Sequence, residues 1–402
     1  MNKTLGSTLL VAGTMIGGGM LAMPLTSAGM GFGFTFLLLV CLWALLTFTA
    51  LLFVEIYQTV DHDVGIGSLS AQFYGKAGRI ISTTVLVVFL YALLSAYVTG
   101  GGSLIAGTLN INEPSWQKTS VIIFTFIFGS VVTISTKSTD GLNRILFFIM
   151  LAAFALVVVL LLPKIQFNNL LAMPIDKALF ISASPVFFTA FGFHGSIPSL
   201  NNYLGGNIKA LRFSIIVGSL ITLTAYIVWQ FSTHGVLTQS AFLEILKTDP
   251  TLNGLVNATL QLTGSSTIAW VVRIFSALAL ITSFLGVALG LLDSINDLLK
   301  RVFHHNAHRI TLGLLTFLPP MLFALFYPQG FVLALGYAGQ MFAFYAVVLP
   351  IALVWRVRKL HPELPYRVNG GNTILFFVLI AGIVITSIPF AIKAGYLPFV
   401  VG

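Results

Sequence analysis

Residues 185–205 read PVFFTAFGFHGSIPSLNNYLG, and they decide what kind of fold this chain has. They lie in an apolar segment long enough to cross a bilayer, yet Gly192, His194, Gly195 and Pro198 interrupt it and Asn201 and Asn202 follow. A helix broken at membrane depth frees backbone N–H and C=O groups that hydrocarbon cannot satisfy. Such a break persists only where protein or a wet cavity surrounds it. An ionisable side chain at that depth is a functional candidate by default, and here it is His194. A second interruption, Gly17-Gly18-Gly19 with Pro24 beyond it, falls in the first apolar segment. Paired interrupted helices point to a transporter's substrate site.

Composition agrees with a polytopic membrane protein. Of 402 residues, 57% are hydrophobic and 8% charged, against about 25% charged in soluble domains. Apolar runs near 5–27, 32–56, 80–109, 119–136, 142–163, 178–203, 211–231, 268–292, 309–326, 330–354 and 373–397 are each about the length a span requires, which predicts an all-α protein of eleven membrane helices. The first run is read as a retained span rather than a cleaved signal, because it carries three glycines and Pro24 and lacks a small-residue cleavage site. The single cysteine, Cys41, has no intrachain partner. With the N-terminus in the cytoplasm, fourteen of the twenty Lys and Arg fall on the inner side. That bias sets the orientation and leaves the C-terminus outside. The net charge of +9 is therefore a topology signal, and no nucleic-acid partner is expected.

Loop lengths carry a hidden repeat. A long loop at about 57–79 follows segment two, and another at about 232–267 follows segment seven. Segments four and five are joined tightly, as are nine and ten at Tyr327 to Gly330. The broken segments, one and six, each open a set of five, and an odd number inserts the second set upside down. The chain thus reads as one transmembrane domain over 1–402. It comprises an inverted repeat of about 5–163 and 178–354, with an extra helix at about 373–397.

In segment one, Gly13-Thr14-Met15-Ile16-Gly17-Gly18-Gly19-Met20 surrounds the break. The second half-helix starts with free N–H groups at its positive end, which suit a carboxylate. The carbonyls that end the first half suit an ammonium group or a cation. Glycine would let a ligand reach the backbone and permits positive φ. Small-residue helix packing is the competing explanation. Around the second break, Phe188, Phe191 and Phe193 could stack on an aromatic substrate, although with 35 Phe some must flank any site. His194 could relay a proton, hydrogen-bond a phenol, or pair with freed backbone. Tyr91, Ser95, Tyr97 and Thr99 in segment three, and Ser276, Thr282 and Ser283 in segment eight, are polar at helical spacing. Such hydroxyls often bond only the i−4 carbonyl. Glu55, near the inner end of segment two, is expected to snorkel to water, and Arg273 and Asp293 read as interfacial. His304, His305 and His308 could hold a metal weakly, but a solvated basic loop is the simpler reading. No cofactor motif, P-loop or catalytic triad is visible, so no enzyme is expected.

The motifs GTMIGGGMLAMP at 13–24, FGFHGSIPS at 191–199, TSFLGVALGL at 282–291, FYPQGF at 326–331, LGYAG at 335–339 and YRVNGG at 366–371 resemble those of the bacterial aromatic amino acid permeases, within the hydroxy/aromatic amino acid permease family. The resemblance runs nearly end to end and looks closest to the tyrosine-specific branch. Gly18 stands where Ala is common in that family. The resemblance implies a fold of the LeuT type, a 5+5 inverted repeat with an added eleventh helix, in the bacterial inner membrane. It also implies proton-driven uptake of an aromatic amino acid. Ala279-x-x-Thr282-Ser283 looks like half of a sodium site in sodium-coupled LeuT-type carriers, so Na⁺ stays open beside H⁺.

The reading that results is a symporter importing L-tyrosine, with its C-terminus periplasmic. Its substrate site is expected at Thr14, Gly17, Gly18, Gly19, Met20, Tyr97, Phe188, Phe191, Gly192, His194 and Ser283. The coupling ion is expected at His194, Thr282, Ser283 or Glu55. A tryptophan or general aromatic carrier is the first rival, and a channel is the rival from another class.

Overall fold

The computed structural model describes residues 2–109, 113–302 and 307–399, and among them every regular element is helical. Ten helices are long and apolar enough to cross a membrane, and the bent pair at the N-terminus makes an eleventh when counted as one span. That pair is α1 (Lys3–Met15) and α2 (Gly18–Ser27), bent by 46° at the glycines. Asn2 caps α1 by accepting from the Thr4 N–H at 3.0 Å. Then come α3 (Phe32–Ile56), α4 (Ile66–Thr108), α5 (Pro114–Ile134) and α6 (Thr136–Leu161). The sixth span is broken into α7 (Ser184–Ala190) and α8 (Ile197–Tyr203), with a 3₁₀ turn at His194–Ser196. The remaining spans are α9 (Ile208–Val236), α12 (Ser266–Val302), α13 (Arg309–Phe326), α14 (Phe331–Ala343) with α15 (Leu349–Leu360), and α16 (Gly371–Lys393). A π-helical stretch, Phe344–Val348, joins α14 to α15.

The two long loops are more ordered than the sequence suggests. Most of the first is the beginning of α4, which bends at Gly75, where φ is 63°. Only glycine adopts that conformation cheaply. The second folds into α10 (Gln239–Thr248) and α11 (Leu252–Thr263), which bury Phe242, Leu246, Leu255 and Val256. Their apolar residues fall at helical spacing, so helices let these segments cover the bundle end without stranding backbone groups. Arg273 of α12 anchors this cover, donating to the Gly107 carbonyl at 3.0 Å and to Asn253 Oδ1 at 3.2 Å. His304 and His305 lie outside the described residues.

Packing is reciprocal. The third span (α4) lies against the tenth (α14), and the eighth (α12) lies against the fifth (α6). The seventh span, α9, packs on both α1 and α3. The two broken spans sit at the centre, where α2, α7 and Ile197 are buried.

At the opposite end of the bundle from α10 and α11, Glu55 departs from expectation. It does not reach water: its side chain has 0% exposure. Arg358 of α15 meets it in a fork, Nε to Oε1 at 2.7 Å and the second nitrogen to Oε2 at 2.9 Å. The Val368 N–H adds a bond to Oε2 at 3.0 Å, and Arg358 also donates to the Val368 carbonyl at 3.0 Å. Gln58 exchanges two bonds with the backbone of Tyr366, at 2.8 and 3.0 Å. Helix α3 thus holds the connection between α15 and α16. The Tyr366 phenol is raised by burial; Arg212, 4.8 Å from its ring centroid, opposes that, and Glu55 adds to it. It therefore stays neutral at physiological pH.

Removing one partner of a buried ion pair strands the other and costs about 3–5 kcal/mol. Glu55→Ala or Arg358→Ala should lower the thermal midpoint of the detergent-solubilised protein sharply. The double replacement Glu55→Leu with Arg358→Leu should cost less than either alone, as measured by scanning fluorimetry.

Candidate functional site

The first break is a matter of two residues. Ile16 leaves the helix at φ −70°, ψ 106°, although its N–H still reaches the Ala12 carbonyl at 2.9 Å. Gly17 is extended at φ 173°, ψ −145°, and its carbonyl accepts the Met20 N–H at 3.1 Å, which starts α2. Gly17 is extended backbone that any residue adopts, and none of Gly17, Gly18 or Gly19 lies in the left-handed region, so conformational freedom is not why they are glycine. Close approach is. A Cβ on Gly17 would collide with Ser283 Oγ of α12. One on Gly18 would lie 2.7 Å from the Tyr97 ring of α4, and one on Gly19 would lie 3.1 Å from Ala190 Cα of α7. Three neighbouring helices press on three successive glycines. The Gly18 N–H, at the positive end of α2, donates to Ser283 Oγ at 2.8 Å.

The second break frees carbonyls at the end of α7. The Thr189 carbonyl takes the Gly192 N–H at 3.0 Å, and the Phe193 carbonyl takes both the N–H and the hydroxyl of Ser196. The Ala190 carbonyl is met from outside the span. The Tyr226 hydroxyl of α9 lies 2.7 Å from it and 2.7 Å from the Met15 carbonyl that ends α1. One fully buried phenol therefore bridges the negative ends of both broken half-helices. A turn further along α9, Trp229 Nε1 donates to the Met20 carbonyl at 3.1 Å. Phe191 packs edge-on to the Tyr226 ring at 5.0 Å between centroids.

His194 faces elsewhere. Its Nε2 is 2.9 Å from Thr49 Oγ1 of α3, and its ring lies against Phe53, Phe193 and Phe342. Its Nδ1 has no hydrogen-bond partner among the described residues. Phe188 is fully buried and packs on Phe342 at 5.2 Å. Gly192 sits where a Cβ would approach the Thr189 carbonyl at 2.8 Å and the Phe342 ring at 3.5 Å.

The residues singled out from sequence therefore separate into groups. Gly17, Gly18, Gly19, Tyr97 and Ser283 converge on the first break, and Met20 is buried beside them. Phe188, Gly192 and His194 form a second group around Phe342. Thr14 is exposed, with its hydroxyl on the Leu10 carbonyl at 2.7 Å. Thr282 turns back to the Leu278 and Ala279 carbonyls of its own helix. Glu55 is taken up by the ion pair described above, with Arg358 and the Val368 N–H as its partners. Sequence reasoning missed Tyr226 and Trp229. It also missed a polar group at the end of α2, where Ser27 Oγ contacts His234 Nε2 at 2.9 Å and Gln230 at 3.3 Å. The available signal was the spacing of Tyr226, Trp229, Gln230 and Thr233, large and polar groups on one face of α9.

A helical bundle whose two discontinuous spans meet back to back at its centre has the architecture of a membrane transporter. The chain belongs to the tryptophan/tyrosine permease family, whose profile matches residues 1–389. It is 70% identical to tyrosine-specific transport system 1 of Haemophilus influenzae over 402 residues, the full length of both chains. It is 56% identical to tyrosine-specific transport system 2 of the same organism, covering 100% of this chain and 99% of that one. To the tryptophan-specific transport protein of H. influenzae it is 32% identical, over 94% of this chain and 93% of the other.

Three variants separate packing from backbone satisfaction at the breaks. Gly17→Ala should cripple folding or transport, and Gly17→Ala with Ser283→Ala should recover folded yield, because only Ser283 Oγ blocks the added methyl; size-exclusion recovery reads this out. Tyr226→Phe keeps the ring and strands buried carbonyls, a cost of about 1–3 kcal/mol. Its thermal midpoint should fall while the apolar packing around the ring persists.

Proposed function

We propose that this protein imports L-tyrosine across the bacterial inner membrane, with H⁺ as the coupling ion. The observation that carries the proposal is the meeting of the two broken spans at Tyr226, in a chain so similar to tyrosine-specific systems. On this reading the N-terminus is cytoplasmic and the C-terminus periplasmic. The architecture is a LeuT-type 5+5 inverted repeat, about 5–163 against 178–354, with the last span added at about 373–397. The reciprocal packing of the third span on the tenth and the eighth on the fifth supports it, as do helical insertions after both the second and the seventh spans.

The substrate site is assigned to the two breaks. The carboxylate goes to the start of α2, at Gly17, Gly18 and Gly19, where the N–H groups and the helix dipole favour an anion. The ammonium group goes to the carbonyl ends at Met15 and Ala190. The aromatic ring lies toward Tyr97, Phe188 and Phe191. Entry requires the close faces at Gly18–Tyr97 and Gly19–Ala190 to part, and Ser283 to release the Gly18 N–H. Met20 lines the opened space, and Gly192 lets the second break approach it. His194 acts as a fixed partner rather than the proton carrier, consistent with its bond to Thr49 and its enclosure by three phenyl rings.

Sodium is the competing ion, favoured by Ser283 Oγ and the Ala279 carbonyl, which both lie beside Gly17. Thr282 gives its proton to carbonyls of its own helix, which leaves its oxygen lone pairs open to a cation, so this contact does not choose between the two ions.

Proteoliposomes should accumulate tyrosine, saturably, under an imposed pH gradient without Na⁺. Tyramine, lacking the carboxylate, should compete at least about tenfold more weakly, the value of one charge-assisted hydrogen bond. In His194→Gln, gradient-driven accumulation and tyrosine exchange should fall together. Loss of accumulation with exchange intact would instead make His194 the proton carrier. Uptake that ignores pH but needs a sodium gradient would overturn the proton assignment.

A further inference from the structure

A cavity of about 240 Å³ lies away from the breaks, at the end of the bundle where α7 and α14 begin and α16 finishes. Its walls are Pro185 and Val186 of α7, Val332 of α14, and Pro389 and Ile392 of α16. The α16 span is peripheral, with only 28% of its apolar window buried, so the cavity sits at the boundary with lipid. At its rim is one cation, Lys393, exposed in the last turn of α16.

The chemistry of this lining is specific. Apolar walls within a bilayer take up hydrocarbon, and an interfacial lysine attracts an anionic headgroup. No Asp or Glu lines the cavity among the described residues. A zwitterionic amino acid would therefore leave its ammonium group unpaired there, at the cost of a desolvated charge. We propose that the cavity holds one acyl chain of an anionic phospholipid from the leaflet at that face, with the phosphate on Lys393. The chain fills the space between α7 and its neighbours, so the lipid props the first half of a broken span.

Gly336 supplies a clean test. A Cβ there meets nothing within 4 Å, and Gly336 lines the cavity, so Gly336→Leu adds bulk toward that open space and also improves helix propensity. The full-length protein, purified in detergent, is titrated with dioleoyl phosphatidylglycerol and separately with dioleoyl phosphatidylcholine, and bound lipids are counted by native mass spectrometry. The native chain should prefer the anionic lipid about fivefold at one site, the contribution of one interfacial lysine. Lys393→Gln should lose that preference but keep a lipid, and Gly336→Leu should bind one lipid fewer while remaining monodisperse. Equal affinity of the native chain for the two lipids, or an unchanged lipid count in Gly336→Leu, would overturn the proposal. So would displacement of the lipid by L-tyrosine, which would give the cavity to the amino acid.

Discussion

The structure depends on how the freed carbonyls of two broken helices are satisfied without water. Helix breaks are affordable at membrane depth only if their backbone groups find partners. Here the Tyr226 hydroxyl stands 2.7 Å from the Met15 and Ala190 carbonyls at once. A phenol has a single proton, so it donates fully to one carbonyl at a time while its dipole faces both. The same helix supplies Trp229 to the Met20 carbonyl, and α12 supplies Ser283 to the Gly18 N–H. Helices α9 and α12 thus act as the scaffold on which both breaks are held. Local bonds satisfy part of each break, whereas the Met15 and Ala190 carbonyls and the Gly18 N–H take their partners from other helices, and those are the groups that could exchange partners with a ligand.

The two ends of the bundle are tied differently. At one end a charge-assisted fork, Glu55 with Arg358, binds α3 to α15 and to the following connection. At the other, Arg273 reaches a helix-end carbonyl and an asparagine of the α11 cover. The first is fully sequestered at its carboxylate, whereas the second involves no carboxylate bond to the guanidinium among the described residues. An ion pair buried at the carboxylate resists parting because separation would strand a charge. A carbonyl and an amide are easier to release. A carrier that opens its ends alternately has to break such ties, and these two are of unequal strength.

Much of this was legible in the chain because the bilayer imposes strict rules. Uninterrupted apolar runs become spans, and glycine, proline and histidine inside a run have to be explained. Both breaks follow directly from GTMIGGG and FGFHG. The function of the glycines was harder to read: they admit Ser283, Tyr97 and Ala190, residues distant in sequence, and none adopts the left-handed conformation. Tyr226 was not legible, because a tyrosine in an apolar helix is ordinary until its partners are known. Glu55 was misplaced for the same reason, since its partner Arg358 lies 303 residues away. The helices in the long loops were missed because short amphipathic stretches carry a weak periodic signal beside the spans.

A cryo-electron microscopy structure with L-tyrosine bound tests the central claim most directly. The account predicts density for the amino acid between the two breaks, its carboxylate at the start of α2, its ammonium group beside the Met15 and Ala190 carbonyls, and the Tyr226 hydroxyl still in contact with at least one of them. Density for tyrosine away from both breaks, with the Gly18–Ser283 and Tyr226 contacts unchanged, would contradict it.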